Sequence, residues 1–187
     1  FRENAQRALL RQVAALDLAS LPRLIEAYVV NKPKFELPPN LRPAPYYPLD
    51  AAAPGMSWDK APFRKLGEDL LRAGKVGAFT VAGGQGSRLG YEGPKGCYPA
   101  GAVSRKPLFE IFADGIAAAS RKYGKPVPWY IMTSPLNHQQ TVDFFTERTY
   151  FGLDPSTVMF FPQGVMPSLD LRSGKMLMTT KSEIATN

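Results

Sequence analysis

The chain has 187 residues, 44% hydrophobic and 21% charged, the balance of a folded globular protein with room for one domain and a small appendage. No apolar run approaches the ~20 residues that span a bilayer, and the single Cys97 and single His138 exclude a disulfide framework, a thiolate zinc site and a multi-histidine metal site. Lys and Arg outnumber Asp and Glu by 23 to 16, a formal charge of +7, yet they are dispersed rather than blocked, which favours a solvated surface over a nucleic-acid patch.

Residues 3–18 carry Ala5, Leu9, Leu10, Val13 and Leu16 at spacings of three and four, predicting an amphipathic helix. A second short helix is expected to about Val30, with Ser20 as its N-cap and Pro22 in its first turn. Prolines at 33, 38, 39, 43, 45, 48 and 54 exclude helix and central strand there. That stretch reads as an extended connector pinned by Leu37, Leu41, Tyr46, Tyr47 and Leu49. A third helix is predicted over Pro62–Arg72, with Phe63, Leu66, Leu70 and Leu71 inward and Gly74 as its left-handed stop.

The pattern then changes. Val76–Val81, Val127–Met132 and Val158–Phe161 are compact apolar runs of strand type, separated by helical patterns over 107–122 and about 139–150. Strands alternating with helices at this spacing predict an α/β fold with a mostly parallel sheet. The expected division is a helical N-terminal extension with connector, 1–58, and an α/β part, 59–187. Ligands of such sheets lie at the C-terminal ends of the strands, so residues 82–96, 133–138 and 162–167 are the candidate site segments.

The first of these is the most informative. Gly83, Gly84 and Gly86 sit where a strand ends, and residues without Cβ let backbone N–H groups approach an anion closely. Arg88 and Lys95 add positive charge, and Pro94 stiffens the approach to Lys95. Such a loop suits a nucleoside triphosphate. The P-loop pattern GxxxxGK[ST] is absent, and the dinucleotide pattern GxGxxG fails because Leu89 stands where its last glycine belongs.

The run Gly83-Gly84-Gln85-Gly86-Ser87-Arg88-Leu89-Gly90 through Pro94-Lys95-Gly96 resembles the signature GGxG[ST]RLGxxxPKG of UTP-dependent nucleotide-sugar pyrophosphorylases, and within them the UDP-N-acetylhexosamine pyrophosphorylases. Ser104–Phe109, Met132-Thr133-Ser134, Tyr150–Leu153 and Phe160–Gly164 with Pro167 follow in that family's order, so the resemblance covers nearly the whole chain. It implies a Rossmann-like nucleotidyltransferase (nucleotide-diphospho-sugar transferase) fold. It also implies a reaction, UTP plus N-acetylglucosamine 1-phosphate giving UDP-N-acetylglucosamine and pyrophosphate, with Mg²⁺ as cofactor.

By that resemblance Lys95 reaches the α-phosphate and sugar-phosphate oxygens, Arg88 holds the departing β,γ-phosphates, and Ala82, Gly83 and Gly84 pass uracil and ribose with their backbones. Gly86 and Ser87 complete the phosphate loop. Gln163 offers one acceptor and one donor to the uracil edge. The family's proteins are longer; a later glycine-rich segment and a metal-binding aspartate lie, by the resemblance, beyond Asn187, so 59–187 reads as the first half of the catalytic domain. The chain starts at Phe1 without a secretory signal, and a cytoplasmic location is expected.

His138 reads as a helix-start or surface residue rather than a general base, Cys97 as a packing residue, and Phe144, Phe145, Phe160 and Phe161 as core. Arg88 argues against the UDP-glucose enzymes, which generally resemble one another in a small or apolar residue there. Those enzymes, a broad-specificity UDP-sugar pyrophosphorylase, a non-catalytic UTP-binding module and a basic nucleic-acid binder remain the alternatives.

Overall fold

The computed structural model describes residues 2–31, 34, 36–50 and 58–186. In chain order they form α1 (Arg2–Ala14), α2 (Leu21–Ile25), α3 (Lys60–Arg72), β1 (Ala78–Val81), α4 (Leu108–Tyr123), β2 (Trp129–Thr133), α5 (His138–Glu147), β3 (Val158–Pro162), β4 (Met178–Thr180) and β5 (Glu183–Ile184). Two units result, Phe1–Pro45 with Gly164–Asn187, and Tyr46–Gln163.

In the second unit the three apolar runs pair in parallel in the order β1-β2-β3, with Ala78 opposite Trp129 and Trp129 opposite Val158. Parallel strands need crossovers, which α4 and α5 supply. Side chains alternate across the sheet. Trp129 and Ile131 on β2 turn to the helices and are buried with Phe109 and Ala113 of α4 and Phe145 of α5. The Phe145 ring lies at the centre of this core, 5.0 Å from Phe109, 5.4 Å from Trp129 and 4.9 Å from Phe160. Trp129 Nε1–H donates to Thr80 Oγ1 at 2.9 Å, so the one polar edge of that ring is satisfied. The opposite face carries Phe79, Val81 and Met159, which are 59%, 66% and 57% exposed.

In the first unit Gln12 of α1 grips the β4–β5 hairpin: Nε2–H donates to Ser182 O at 3.0 Å and Oε1 accepts from Ile184 N–H at 2.9 Å. The two short strands lie in a segment whose apolar stretches, such as Met176-Leu177-Met178, are too short to announce a strand.

Several boundaries shift from the sequence expectation. The first helix ends at Ala14, because Leu16 and Leu18 enter a turn in which Asp17 Oδ1 accepts from Ser20 N–H at 3.1 Å. Ser20 precedes α2 with Pro22 in its first turn, as expected, but its side chain makes no capping bond because its φ/ψ are already helical. The third helix starts two residues earlier, where Asp59 accepts from Ala61 N–H at 2.9 Å, and Gly74 stops it at φ +67°. Phe63 and Leu66, expected inward, are half exposed.

Within the connector, Pro33 and Pro54 lie outside the described residues. Of the expected anchors, Tyr47 meets the Trp58 ring at 4.9 Å and the Phe63 ring at 5.6 Å yet is itself 68% exposed, Leu49 is 93% exposed, and Leu37, Leu41 and Tyr46 are also exposed. α5 ends at Glu147, before the expected 150, because Thr149, Tyr150 and Phe151 turn left-handed (φ 50°, 52° and 55°) to lay the Tyr150 and Phe151 rings on Phe145 at 6.1 and 5.0 Å.

Replacing Phe145 with Ala removes the ring on which this core converges. We expect urea denaturation to show a loss of about 3–5 kcal/mol, against under about 1 kcal/mol for exposed Met159→Ala.

Candidate functional site

Because β1, β2 and β3 run the same way, their C-terminal ends open at one edge. Backbone bonds carry the pairing past the strands: Ala82 N–H donates to Met132 O at 2.6 Å, and Gln163 N–H to Thr133 O at 2.7 Å. The segments following the three strands therefore sit side by side. Gly83 belongs to the first, Ser134 to the second and Gln163 to the third. A Cβ built on Gly83 would lie 3.0 Å from Gln163 Oε1 and 3.5 Å from Ser134 Cβ, so glycine is what lets the three meet.

Beyond Gly83 the glycine-rich loop doubles back on itself. Lys95 N–H donates to Gly84 O at 3.0 Å and Gly86 N–H to Gly93 O at 2.8 Å, bridging Gln85 with Pro94. Ser87–Leu89 makes a single 3₁₀ turn closed by left-handed Gly90 (φ +65°). Lys95–Cys97 makes another, in which Cys97 N–H returns to Pro94 O at 2.9 Å and Tyr98 N–H to Lys95 O at 3.1 Å. Gly96 is packed so closely on the Phe109 ring that a Cβ there would overlap it. The backbone of Lys95 is thus held on both sides while its side chain stays exposed, with Nζ 3.6 Å from the Cβ position of Gly84.

Among the described residues the amides of Gly83, Gly84 and Gln85 have no acceptor, and neither Arg88 nor Lys95 forms an ion pair. Consecutive unsatisfied N–H groups beside an ammonium make a concavity for an anion. The structure brings Ala82, Gly83, Gly84, Lys95 and Gln163 together. Gly86, where a Cβ would meet the Tyr91 carbonyl at 2.9 Å, is buried and shapes the loop. Ser87 and Arg88 lie on the exposed 3₁₀ turn next in the chain.

The sequence reading missed Asn137. It is fully buried, its Oδ1 accepts from Ser134 N–H at 2.9 Å, and its Nδ2 donates to Ala82 O at 3.0 Å. An asparagine just before a helix reads as a cap, and its partners 53 and 55 residues upstream leave no local signal. His138 is the first residue of α5, with Nδ1 2.8 Å from Thr133 Oγ1, in keeping with a helix-start role. Ser134 Oγ is buried with no hydrogen-bond partner among the described residues.

The sequence model of the family described as UTP–glucose-1-phosphate uridylyltransferase matches residues 61–186. UDP-N-acetylglucosamine diphosphorylase 2 of Arabidopsis thaliana is 35% identical over 92% of this chain and 36% of its own length. A probable UDP-N-acetylglucosamine pyrophosphorylase of Schizosaccharomyces pombe is 35% identical over 96% of this chain and 38% of its own. Among solved structures, the uridine diphosphate N-acetylglucosamine pyrophosphorylase of Trypanosoma brucei superposes with a TM-score of 0.61 at 31% identity, over 67% of this chain and 26% of that one. The chain spans a little over a third of the length of these two curated relatives.

Cys97, two residues from Lys95, is 3% exposed, and burial pushes its thiol up to about 11, with the Arg148 charge opposing weakly. Ellman's reagent at pH 8 is expected to modify the folded chain at least about a hundredfold more slowly than the urea-unfolded chain. Equal rates would contradict the packing role of Cys97.

Proposed function

The chain belongs to the UTP–glucose-1-phosphate uridylyltransferase family, and from that premise we propose that the protein transfers a uridylyl group from UTP to N-acetylglucosamine 1-phosphate, releasing pyrophosphate. The observation that carries the proposal is the row of amides at Gly83, Gly84 and Gln85, without acceptors among the described residues, with the Lys95 ammonium beside it and the Gln163 amide against Gly83. Amides and ammonium suit a polyphosphate. The Gln163 carboxamide, one donor and one acceptor in a plane, suits the O4 and N3–H edge of uracil. N-acetylglucosamine is proposed over glucose because the relatives at 35% identity bear that sugar in their names.

In the proposed reaction an oxygen of the sugar phosphate attacks the α-phosphorus in line as the bond to pyrophosphate breaks. No protein nucleophile is needed; the chain's task is positioning and charge neutralisation. Lys95 supplies a compact positive charge where negative charge builds on the α-phosphoryl oxygens, and its fixed backbone keeps that charge in register with Gly84. Arg88 is assigned to the departing pyrophosphate, for which its planar donor fork is suited. Ala82, Gly83 and Gly84 pass the nucleoside with their backbones, and Gly86 and Ser87 shape the turn that follows.

Mg²⁺ is proposed as the cofactor, sharing with Lys95 and Arg88 the neutralisation of phosphoryl charge. Among the described residues no three His, Cys, Asp or Glu side chains come together to hold a metal. No described helix is long and apolar enough to cross a membrane. A cytoplasmic location is proposed on a separate ground, that UTP and sugar phosphates are at hand there.

Incubation of the full-length gene product with UDP-N-acetylglucosamine, pyrophosphate and Mg²⁺ is expected to release UTP, with UDP-glucose turned over at least about tenfold more slowly. Lys95→Ala is expected to weaken UTP binding by about ten- to a hundredfold, the worth of one charge-assisted contact. ATP bound as well as UTP, or a Lys95→Ala chain of undiminished UTP affinity, would contradict the proposal.

A further inference from the structure

An asparagine that precedes a helix ordinarily spends its side-chain oxygen on the N–H of the second or third helical residue. Asn137 stands at that position before α5, yet its side chain makes no capping bond. Its oxygen takes the Ser134 N–H at 2.9 Å instead, and its amide nitrogen donates to Ala82 O at 3.0 Å with Gly84 O at 3.5 Å. Thr141 Oγ1 donates to the Asn137 carbonyl at 2.8 Å, so the residue is held from its own helix as well. No part of it reaches solvent.

The two carbonyls it faces flank Gly83. In a trans peptide the N–H of the next residue points opposite to the C=O. Drawing Ala82 O inward therefore turns the Gly83 N–H outward, and drawing Gly84 O inward turns the Gln85 N–H outward. Lys95 N–H also donates to Gly84 O, at 3.0 Å. Without these donors both carbonyl oxygens would be free to face the mouth, where a polyphosphate would meet partial negative charge instead of N–H groups.

We propose that Asn137 is the positioning residue of the nucleotide loop, its carboxamide binding the first and second site segments together and setting the peptide planes so that the amides of Gly83 and Gln85 face the phosphates. This rests on the uridylyltransferase reading for the identity of the ligand, though not for the loop geometry. Asn137 need not touch the nucleotide; it acts through the backbone it holds.

The test compares Asn137→Asp and Asn137→Ser with the unsubstituted chain and with Ser120→Ala, which removes a hydrogen bond to Val127 N–H in another part of the unit. Aspartate keeps the acceptor for Ser134 and loses the donor; serine is as good a helix start but too short for the loop. Calorimetric titration with UTP is expected to show affinity about tenfold or more lower in both Asn137 variants and within about twofold of normal in Ser120→Ala. Amide exchange at Gly86 and Lys95 should quicken in the Asn137 variants alone. A folded Asn137→Ser chain with unchanged UTP affinity and unchanged exchange at Gly86 and Lys95 would overturn the proposal.

Should both variants fail to fold, the unsubstituted chain still decides. The Asn137 side-chain amide protons should exchange far more slowly than those of exposed Gln139, and equal rates would overturn the proposal. Absence of UTP binding by the unsubstituted chain would overturn the nucleotide reading instead, while the exchange measurement would still judge the clamp.

Discussion

Parallel pairing of three strands is the constraint on which everything else rests. Once β1, β2 and β3 share a direction, their C-terminal ends lie at one edge, and residues as distant as Gly83, Ser134 and Gln163 become neighbours. The pairing is kept in register by the aromatic core beneath it, where Phe145 lies between Phe109, Trp129 and Phe160. Burial of these rings orders the sheet, and the sheet then positions loops that have little apolar surface of their own. Rigidity at the mouth is thus borrowed from the core below it.

The loop itself is built by omission of side chains and by backbone pairing. At Gly83 a methyl group would press on Gln163, and at Gly96 it would overlap Phe109. The first approach joins the three site segments, and the second seats the Lys95 turn on the core. The doubling back of 84–86 on 93–95 then delivers Lys95 beside Gly84, so that cation and amide donors converge without any charged group being buried. A buried ammonium would have met a large desolvation cost; an exposed one on a fixed backbone avoids it.

What the sequence revealed and what it hid divide along the same line. Apolar runs and helical spacing announced β1, β2, β3 and α4, because burial of one face leaves a periodic trace. The glycine-rich stretch and Lys95 were legible because a loop without Cβ atoms needs glycine in the sequence itself. Asn137 was not legible, since its role is defined by carbonyls 53 and 55 residues away. The left-handed turn at Thr149–Phe151 was hidden because tertiary ring packing on Phe145 overrides local preference. Phe63 and Leu66 show the reverse error: an amphipathic stripe is no proof that described residues cover it.

The most direct measurement is a crystal structure of the chain soaked in UTP. Phosphates are expected within hydrogen-bonding reach of the Gly83–Gln85 amides and of Lys95 Nζ, with the uracil edge on the Gln163 carboxamide. Electron density for the nucleotide elsewhere, or a mouth left empty at saturating UTP, would contradict the uridylyltransferase reading.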